Sequence, residues 1–114
     1  MSQDIFDQIV NGEKDAEFLI ENDDLVVFAD INPQAPVHYL VVPRRHIDTV
    51  DHVKPQDAEL LGKMVLAARD AAGKLGITGG YKLVFNVGNK GGQVVPHIHL
   101  HILGGWDQKQ SKIL

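Results

Sequence analysis

The chain of 114 residues has no cysteine, few aromatic residues and no long apolar run. The absence of cysteine excludes disulfide scaffolds, thiolate zinc sites and cysteine nucleophiles. A membrane-spanning helix needs about 18 or more consecutive apolar residues, so we expect no membrane partner. The N-terminal stretch MSQDIFDQIV lacks the basic start and apolar run of a signal peptide, and we expect a cytoplasmic protein.

Basic residues are also in the minority, because 11 lysines and arginines face 15 aspartates and glutamates. Nucleic-acid-binding proteins usually carry a basic face, and here only Arg44 and Arg45 are adjacent, so we expect no nucleic-acid partner. An anionic ligand would have to be held by local hydrogen-bond donors. The length and the 44% hydrophobic content predict one domain over residues 1–114, with a small core and a polar tail over residues 106–114.

Hydrophobic periodicity predicts an α+β domain, in which an antiparallel sheet of about five strands carries one long helix on a face. A short helix is expected over residues 4–10. The long helix is expected to begin with Pro55 in its first turn and to end before Gly76. The predicted strands cover residues 18–21, 25–29, 37–42, 81–87 and 97–103. The apolar stripe of the long helix is predicted to contain Leu60, Leu61, Met64, Val65, Ala68, Ala71, Ala72 and Leu75.

Three histidines alternate with apolar residues in the last predicted strand, where the sequence reads HIHLHIL. Alternate side chains of a strand share a face, so His97, His99 and His101 would lie on one face. The Cα atoms of neighbouring histidines would be about 6.5–7 Å apart along it. Three interpretations are open: a solvated strand face, a metal site and a site for phosphoryl chemistry. Threonine or lysine would serve a solvated face as well. A metal site would need a further ligand such as His46 or Asp30, because the third histidine lies too far along the strand.

Phosphoryl chemistry accounts best for the histidines. Imidazole has a pKa of about 6.5, so near neutrality it can attack phosphorus and can donate or accept protons. The loop just before them contains Gly91-Gly92-Gln93, and glycine allows backbone N–H groups to approach a phosphate closely. This chemistry requires neither a metal nor another cofactor.

The HIHLHIL stretch resembles the signature of the histidine-triad superfamily, in which three histidines alternate with apolar residues. The resemblance to the branch of histidine triad nucleotide-binding proteins also runs through IFDQIVNGE, VVFADINPQAPVHYLVVPRRHI, LGKMVLAARDAA and GYKLVFNVGNKGGQ. It implies a homodimer, with the sheet extended across both subunits, that hydrolyses AMP or GMP phosphoramidates through a nucleotidyl-histidine intermediate. The alternatives are a dinucleoside polyphosphate hydrolase or nucleotidyltransferase, and a nucleotide-binding regulatory protein.

The resemblance also implies roles for single residues. His99 would be the nucleophile, with His101 by the phosphate and the leaving group, and with His97 and His46 in support. The other implied nucleotide-binding residues are Phe6, Ile9, Phe28, Asp30, Ile31, Asn86, Gly92, Gln93 and Val94. Structural alternatives remain for several of them: the apolar ones can belong to the core, Asp30 can cap a turn and His46 can lie on a surface loop. His38 and His52 match no position of the motifs and are expected to be structural or solvated.

The chain departs from the resemblance at three places. Val94 stands where the resemblance implies a serine whose hydroxyl touches the substrate, and this bears on the rate or the substrate preference. Pro96 replaces an aromatic residue, and a residue without an N–H suits the start of a strand. The tail from Trp106 differs from tails that are longer or contain Trp-Pro, which help to shape the partner's site in that family.

Overall fold

The computed structural model describes residues 4–111 as five antiparallel strands with a short and a long helix. The strands are β1 (Phe18–Glu21), β2 (Leu25–Ala29), β3 (Val37–Pro43), β4 (Tyr81–Val84) and β5 (Leu100–Gly104). Within the sheet they lie in the order β1-β2-β3-β5-β4. The helices are α1 (Ile5–Val10) and α2 (Ala58–Lys74), and 3₁₀ turns cover Val50–His52, Pro55–Asp57 and Asn89–Gly91. The predicted α+β class and antiparallel sheet are confirmed.

The sheet separates two hydrophobic clusters, because successive strand side chains point to opposite faces. The cluster under α2 consists of Leu25, Val27, Val41, Met64, Ala67, Ala68, Ala71, Ala72, Ile77, Leu100 and Ile102. The cluster under α1 consists of Phe6, Ile9, Val10, Val26, Phe28, Leu40 and Val42. Each helix therefore covers its own face of the sheet.

Two aspartates form a reciprocal cap at the start of helix α1. The Asp4 carboxylate accepts a hydrogen bond from the Asp7 amide at 2.7 Å, and the Asp7 carboxylate accepts one from the Asp4 amide at 3.3 Å. This capping box pairs two of the amides that the start of a helix leaves without intrahelical partners. The predicted short helix is confirmed, with Asp4 as its N-cap.

Helix α2 begins three residues after Pro55, because Pro55–Asp57 forms a 3₁₀ turn ahead of it. Gly76 follows the helix with a φ of 73°, as a C′ glycine does. The residues that α2 buries are Met64, Ala67, Ala68, Ala71 and Ala72. The prediction that Val65 belongs to the apolar stripe is wrong, since it is 44% exposed. At about 100° per residue, Val65 lies just beyond the border of the buried face, whose centre is close to Met64.

Strand β5 begins at Leu100, so only His101 of the three alternating histidines lies in a strand. The prediction that all three share one strand face is therefore wrong. The cause lies opposite, at the end of β3, where Pro43 has no N–H to continue the ladder. The Ile98 amide donates instead to the Ile47 carbonyl at 2.7 Å.

Strand β4 ends at Val84 rather than at residue 87. Val84 pairs with His101, and the late start of β5 leaves little strand beyond that pair. After β5, the Lys82 ammonium lies 5.3 Å from the centre of the Trp106 ring, within the range of a cation–π interaction. Of the predicted tail, residues 112–114 lie outside the described part of the chain. Within residues 4–111, no helix is long and apolar enough to cross a membrane.

Candidate active site

A cavity of about 670 Å³ opens on the α1 side of the sheet. Its walls come from α1, from the β2–β3 loop and from the residues that precede and begin β5. The residues predicted to bind a nucleotide that line it are Phe6, Ile9, Phe28, Asp30, Ile31, Asn86, Gly92, Val94, His99 and His101. Gln93 and the two supporting histidines, His46 and His97, lie outside its wall.

Phe6 of α1 connects the apolar part of the cavity to the histidines. Its ring lies edge to face with the ring of Phe28, at 5.9 Å between centroids, and with the ring of His99, at 4.9 Å. Aromatic pairs prefer such arrangements over stacked sandwiches. The apolar compartment beside Phe6 therefore has the character expected of a pocket for a flat aromatic group.

His99 lines the cavity with a ring nitrogen that no residue within 4–111 engages. Its Nδ1 donates to the carbonyl oxygen of His97 at 2.7 Å, because a carbonyl only accepts. Burial lowers the pKa of His99, so the ring is neutral at pH 7. A neutral ring protonated at Nδ1 has its lone pair on Nε2, which is the form that a nitrogen nucleophile needs.

His101 places a second imidazole beside the first. The centroids of the His99 and His101 rings are 4.9 Å apart. Burial, reinforced by neighbouring His99 and His38, lowers the pKa of His101 to about 4. The cavity therefore holds two adjacent imidazoles that are both neutral at pH 7.

His38 is a cavity residue that the sequence patterns did not assign to the site. It is 5% exposed, which excludes the solvated alternative of the prediction, and its Nε2 lies 2.9 Å from Nδ1 of His101. The sequence feature that could have revealed this contact is strand alternation, which puts His38 on the same face of β3 as Leu40. Leu40 pairs with His101 on β5. Predicting the contact therefore requires the register of β3 against β5, which the sequence patterns do not provide.

Comparison with known proteins identifies the family. A family model described as "Scavenger mRNA decapping enzyme C-term binding" matches residues 3–112. The chain is 42% identical to Protein HitA of Neisseria gonorrhoeae, over 91% of this chain and 97% of that protein. The crystal structure of a HIT (histidine-triad) family hydrolase from Legionella pneumophila is 42% identical, with a TM-score of 0.89 over 94% of this chain and 96% of the other. The chain belongs to the histidine-triad family.

A second histidine-triad structure gives the same result over the full length. A HIT family hydrolase from Clostridium thermocellum is 37% identical and has a TM-score of 0.93, over 100% of this chain and 99% of the other. The resemblance to the histidine-triad superfamily is thus confirmed, and so is the fold that it implied.

Asp30 both caps a turn and borders the cavity of this histidine-triad fold. Its Oδ1 accepts a hydrogen bond from the Asn32 amide at 2.8 Å, which is the structural alternative for this residue. Its Oδ2 lies 3.4 Å from Nε2 of His38. Because the side chain remains 19% exposed, the carboxylate can still be reached by a ligand hydroxyl.

The glycine-rich loop uses its central amides internally. The amides of Gly91 and Gln93 donate to the Gly88 carbonyl, both at 3.1 Å, and the amide of Gly92 donates to the Asn89 carbonyl at 3.0 Å. Gly92 closes the turn with a φ of 89°, in the left-handed region that favours glycine. The expectation that these three amides approach a phosphate is therefore wrong, because each already has a carbonyl partner.

Two side chains brace this loop. The Asn86 amide nitrogen donates to the Gly91 carbonyl at 3.0 Å. The Gln93 side chain accepts from the Gly88 amide at 3.0 Å and donates to the Asp48 carbonyl at 2.6 Å. Gln93 thus acts on the loop from outside the cavity, whereas Asn86 combines bracing with a place in the cavity wall.

Val94 is the residue through which the loop meets the cavity mouth. Its side chain is 90% exposed, and Ile31 in the β2–β3 loop is 92% exposed. The Val94 amide makes no hydrogen bond within the part of the chain that the structure describes. This amide, unlike those of Gly91, Gly92 and Gln93, has no carbonyl partner among the described residues and can donate to an anion.

His97 and His46 lie in a separate cluster with the two capping aspartates of α1. Nδ1 of both rings contacts Oδ1 of Asp7, at 3.1 Å for His97 and 3.0 Å for His46. The other nitrogen of His97 donates to the Pro43 carbonyl at 2.8 Å, so the fully buried ring is held on both sides. The cluster therefore anchors the segment whose carbonyl orients His99.

This acidic cluster also has the donor set of a cation site. The ligand atoms of Asp4, Asp7, His46 and His97 lie within 4.8 Å of one another, and Oδ2 of Asp4 is buried without a hydrogen-bond partner. Carboxylate and imidazole donors suit a divalent transition metal. Asp30, His38 and His101 meet the same distance, but there the two facing ring nitrogens already bond to each other.

Proposed function

We propose that this chain is a purine nucleoside 5′-monophosphoramidase, a hydrolase that cleaves the P–N bond between AMP or GMP and an amine, including nucleotidyl-lysine. The observation that carries the proposal is the state of His99, a buried neutral imidazole whose Nε2 is unengaged, between an apolar compartment and His101. Similar structures described as HIT family hydrolases support hydrolytic chemistry. The resemblance to the nucleotide-binding branch supports the P–N bond as the target.

The cavity offers a place for each part of such a substrate. The purine would lie in the apolar compartment beside Phe6, Ile9 and Phe28, and the ribose hydroxyls would reach the Asp30 carboxylate. Phosphorus would then lie near His99, with its oxygens toward His101 and the Val94 amide. Fixed donors are needed there, because the negative oxygens of a nucleotide otherwise repel a nucleophile.

The reaction would proceed in two displacements at phosphorus. Nε2 of His99 bonds to phosphorus while the P–N bond breaks, and the amine leaves with a proton taken from water, which the second displacement returns to solvent. The ring then carries positive charge, which the His97 carbonyl stabilises through the Nδ1–H hydrogen bond. In the second displacement, water attacks phosphorus, the bond to His99 breaks and the nucleoside monophosphate is released. None of these steps uses a metal.

We further propose that the protein acts as a homodimer formed through the α2 side of the β4 edge. Val65 and Leu66 of α2 are 44% and 50% exposed. Leu83 of β4 is 37% exposed and pairs with Ile102, which belongs to the cluster under α2. Exposed apolar side chains and an edge strand both favour pairing with a second copy. Sedimentation should give twice the monomer mass, and Leu66→Glu should give monomers; a monomeric wild type would contradict the dimer.

The enzymatic proposal is tested by steady-state hydrolysis of fluorogenic AMP and GMP phosphoramidates in the presence of EDTA. We expect turnover by the wild type, loss of turnover in His99→Ala, and little change in His52→Ala, a matched control at an exposed histidine. Acid-free denaturation during turnover should trap one nucleotide on His99, detected by mass spectrometry. A folded wild type that binds AMP but turns over neither substrate would contradict the proposal, and so would activity that requires added zinc.

A further inference from the structure

A chain of hydrogen bonds fixes the proton of His38. The Gln34 backbone amide lies 2.9 Å from Nδ1 of His38 and points at it as a donor. A backbone N–H can only donate, so Nδ1 must be the unprotonated nitrogen of that ring. The single proton of a neutral His38 is therefore on Nε2.

The same logic extends from His38 to His101. Nε2 of His38 lies 2.9 Å from Nδ1 of His101, and 3.4 Å from the acceptor Oδ2 of Asp30. Because His38 is the donor in this contact, Nδ1 of His101 is the acceptor. A neutral His101 then carries its proton on Nε2, the nitrogen that has no protein partner within residues 4–111.

We infer that His101 acts as a neutral hydrogen-bond donor to a phosphoryl oxygen, held in this state by His38 as a positioning residue, and that it is not the acid that protonates the leaving amine. This inference rests on the proposed phosphoramidase function. An acid must give up a whole proton and recover it. If His101 lost the Nε2 proton, only His38 could resupply Nδ1, and the other nitrogen of His38 already accepts from Gln34.

The surroundings of His101 agree with a neutral ring. The ionisable groups that face it are His38 from β3, His99 from the segment before β5, and Asp30 from the β2–β3 loop. Val84, its partner on β4, brings no charge. Burial and the two imidazoles outweigh the carboxylate and lower the pKa of His101 to about 4.

The proton balance of the first displacement then involves solvent. The His99 Nε2–phosphorus bond forms, the P–N bond breaks, and the departing nitrogen takes a proton from water at the open cavity mouth. The second displacement returns a proton to solvent when water adds to phosphorus. His101 lowers the charge on the phosphoryl oxygens throughout and keeps its own proton.

The kinetic test compares two leaving groups on the same AMP moiety. An alkylamine must be protonated to leave, whereas a p-nitrophenolate leaves as a stable anion. Loss of a fixed donor should cost both substrates the same factor, about 10²–10³ in kcat for His101→Ala, with partial recovery in His101→Gln, which retains an N–H. A loss of kcat at least tenfold larger for the alkylamine than for the p-nitrophenyl ester would identify His101 as an acid and overturn the inference.

The second test does not depend on turnover and separates this inference from the proposed function. Long-range ¹⁵N–¹H spectra of the imidazoles report which nitrogen carries the proton, and a pH titration reports when each ring becomes charged. We expect His101 protonated at Nε2 and neutral down to about pH 5. In His38→Phe the pKa of His101 should move toward the ordinary value of 6.5.

The Gln34 amide can be tested separately. Gln34→Pro removes the amide donor and should mix the tautomers of His38, whereas Gln34→Ala, which keeps that amide, should not. A wild-type His101 that titrates near 6.5 or carries Nδ1–H would overturn the inference.

Discussion

The histidines of HIHLHIL divide between two clusters with opposite electrostatics. His99 and His101 lie in the cavity, where burial lowers the pKa of both rings. His97 lies instead against the Asp7 carboxylate, which His46 shares. Burial opposes protonation of His46 as well, yet hydrogen bonds to Asp48 and Asp7 outweigh it and raise the pKa of His46.

This difference shows that one residue type serves two purposes within five positions. The cavity rings lack close carboxylates except Asp30 and remain neutral, as a nucleophile and a donor require. The rings of the acidic cluster have carboxylates at about 3 Å and act as structural anchors. A hydrogen bond joins the clusters, because the His97 carbonyl accepts from Nδ1 of His99.

The largest difference expected between substitutions in the cavity and substitutions in the acidic cluster is in catalysis. His99→Ala should lower kcat by about 10⁴-fold, because the covalent pathway needs this nitrogen. His46→Ala should lower kcat by less than about tenfold, because His46 lies outside the cavity wall and acts only through the loop it anchors. Steady-state kinetics of both variants would measure this, and an equal loss in the two would show that the acidic cluster takes part in the chemistry.

A large effect on stability is expected from the acidic cluster. Asp7→Ala removes the acceptor shared by two imidazoles and one half of the capping box. The free energy of unfolding should therefore fall by about 2–3 kcal/mol. Asp23→Ala, at an exposed turn, is the matched control and should change the free energy of unfolding by less than about 0.5 kcal/mol. Urea denaturation of the three proteins gives these differences. Equal free energies of unfolding for Asp7→Ala and the wild type would contradict the anchoring role of the acidic cluster.

The two clusters should also respond to pH with opposite signs. The pKa of His101 is lower in the folded than in the unfolded chain, so wild type should lose stability relative to His101→Gln as the pH falls from 6.5 to about 4. The pKa of His46 is raised, so wild type should have its full advantage over His46→Gln below 6.5 and lose it as the pH rises through the raised value. Denaturation midpoints between pH 4 and 8 would measure both trends. The same sign for both variants would contradict the electrostatic difference.

The smallest effect concerns the cavity mouth. Val94→Ser introduces the hydroxyl that the family resemblance leads us to expect at this position. It should raise kcat/KM for a phosphoramidate by about two- to tenfold, the contribution of one neutral hydrogen bond. Val94→Ala, which shortens the side chain without adding a hydroxyl, is the control and should not reproduce the gain. Kinetics with one alkylamine substrate suffice. A gain in both variants would point to space at the mouth rather than to a hydrogen bond.

Local patterns predicted the elements that local interactions specify. β1 and β2 match their predicted bounds, and α1 has the aspartate expected at its start as its N-cap. β4 and β5 are shorter than their alternation indicated, because a strand extends only as far as a partner pairs with it. Val65 met the periodicity of an apolar stripe, but the width of the buried face depends on what packs against α2.

The sequence by itself determined the fold class, through spacing and alternation, and the family, through the HIHLHIL motif. The resemblance to that family, rather than the pattern alone, singled out His99 as the candidate nucleophile. The tertiary structure alone decided which histidines work together. It brought His38 against His101 across 63 positions and Asp7 against His97 across 90, and it paired the amides of the glycine-rich loop with carbonyls of the same loop. Such contacts depend on strand register and on which buried donor finds which acceptor, and neither is set by the neighbours of a residue along the chain.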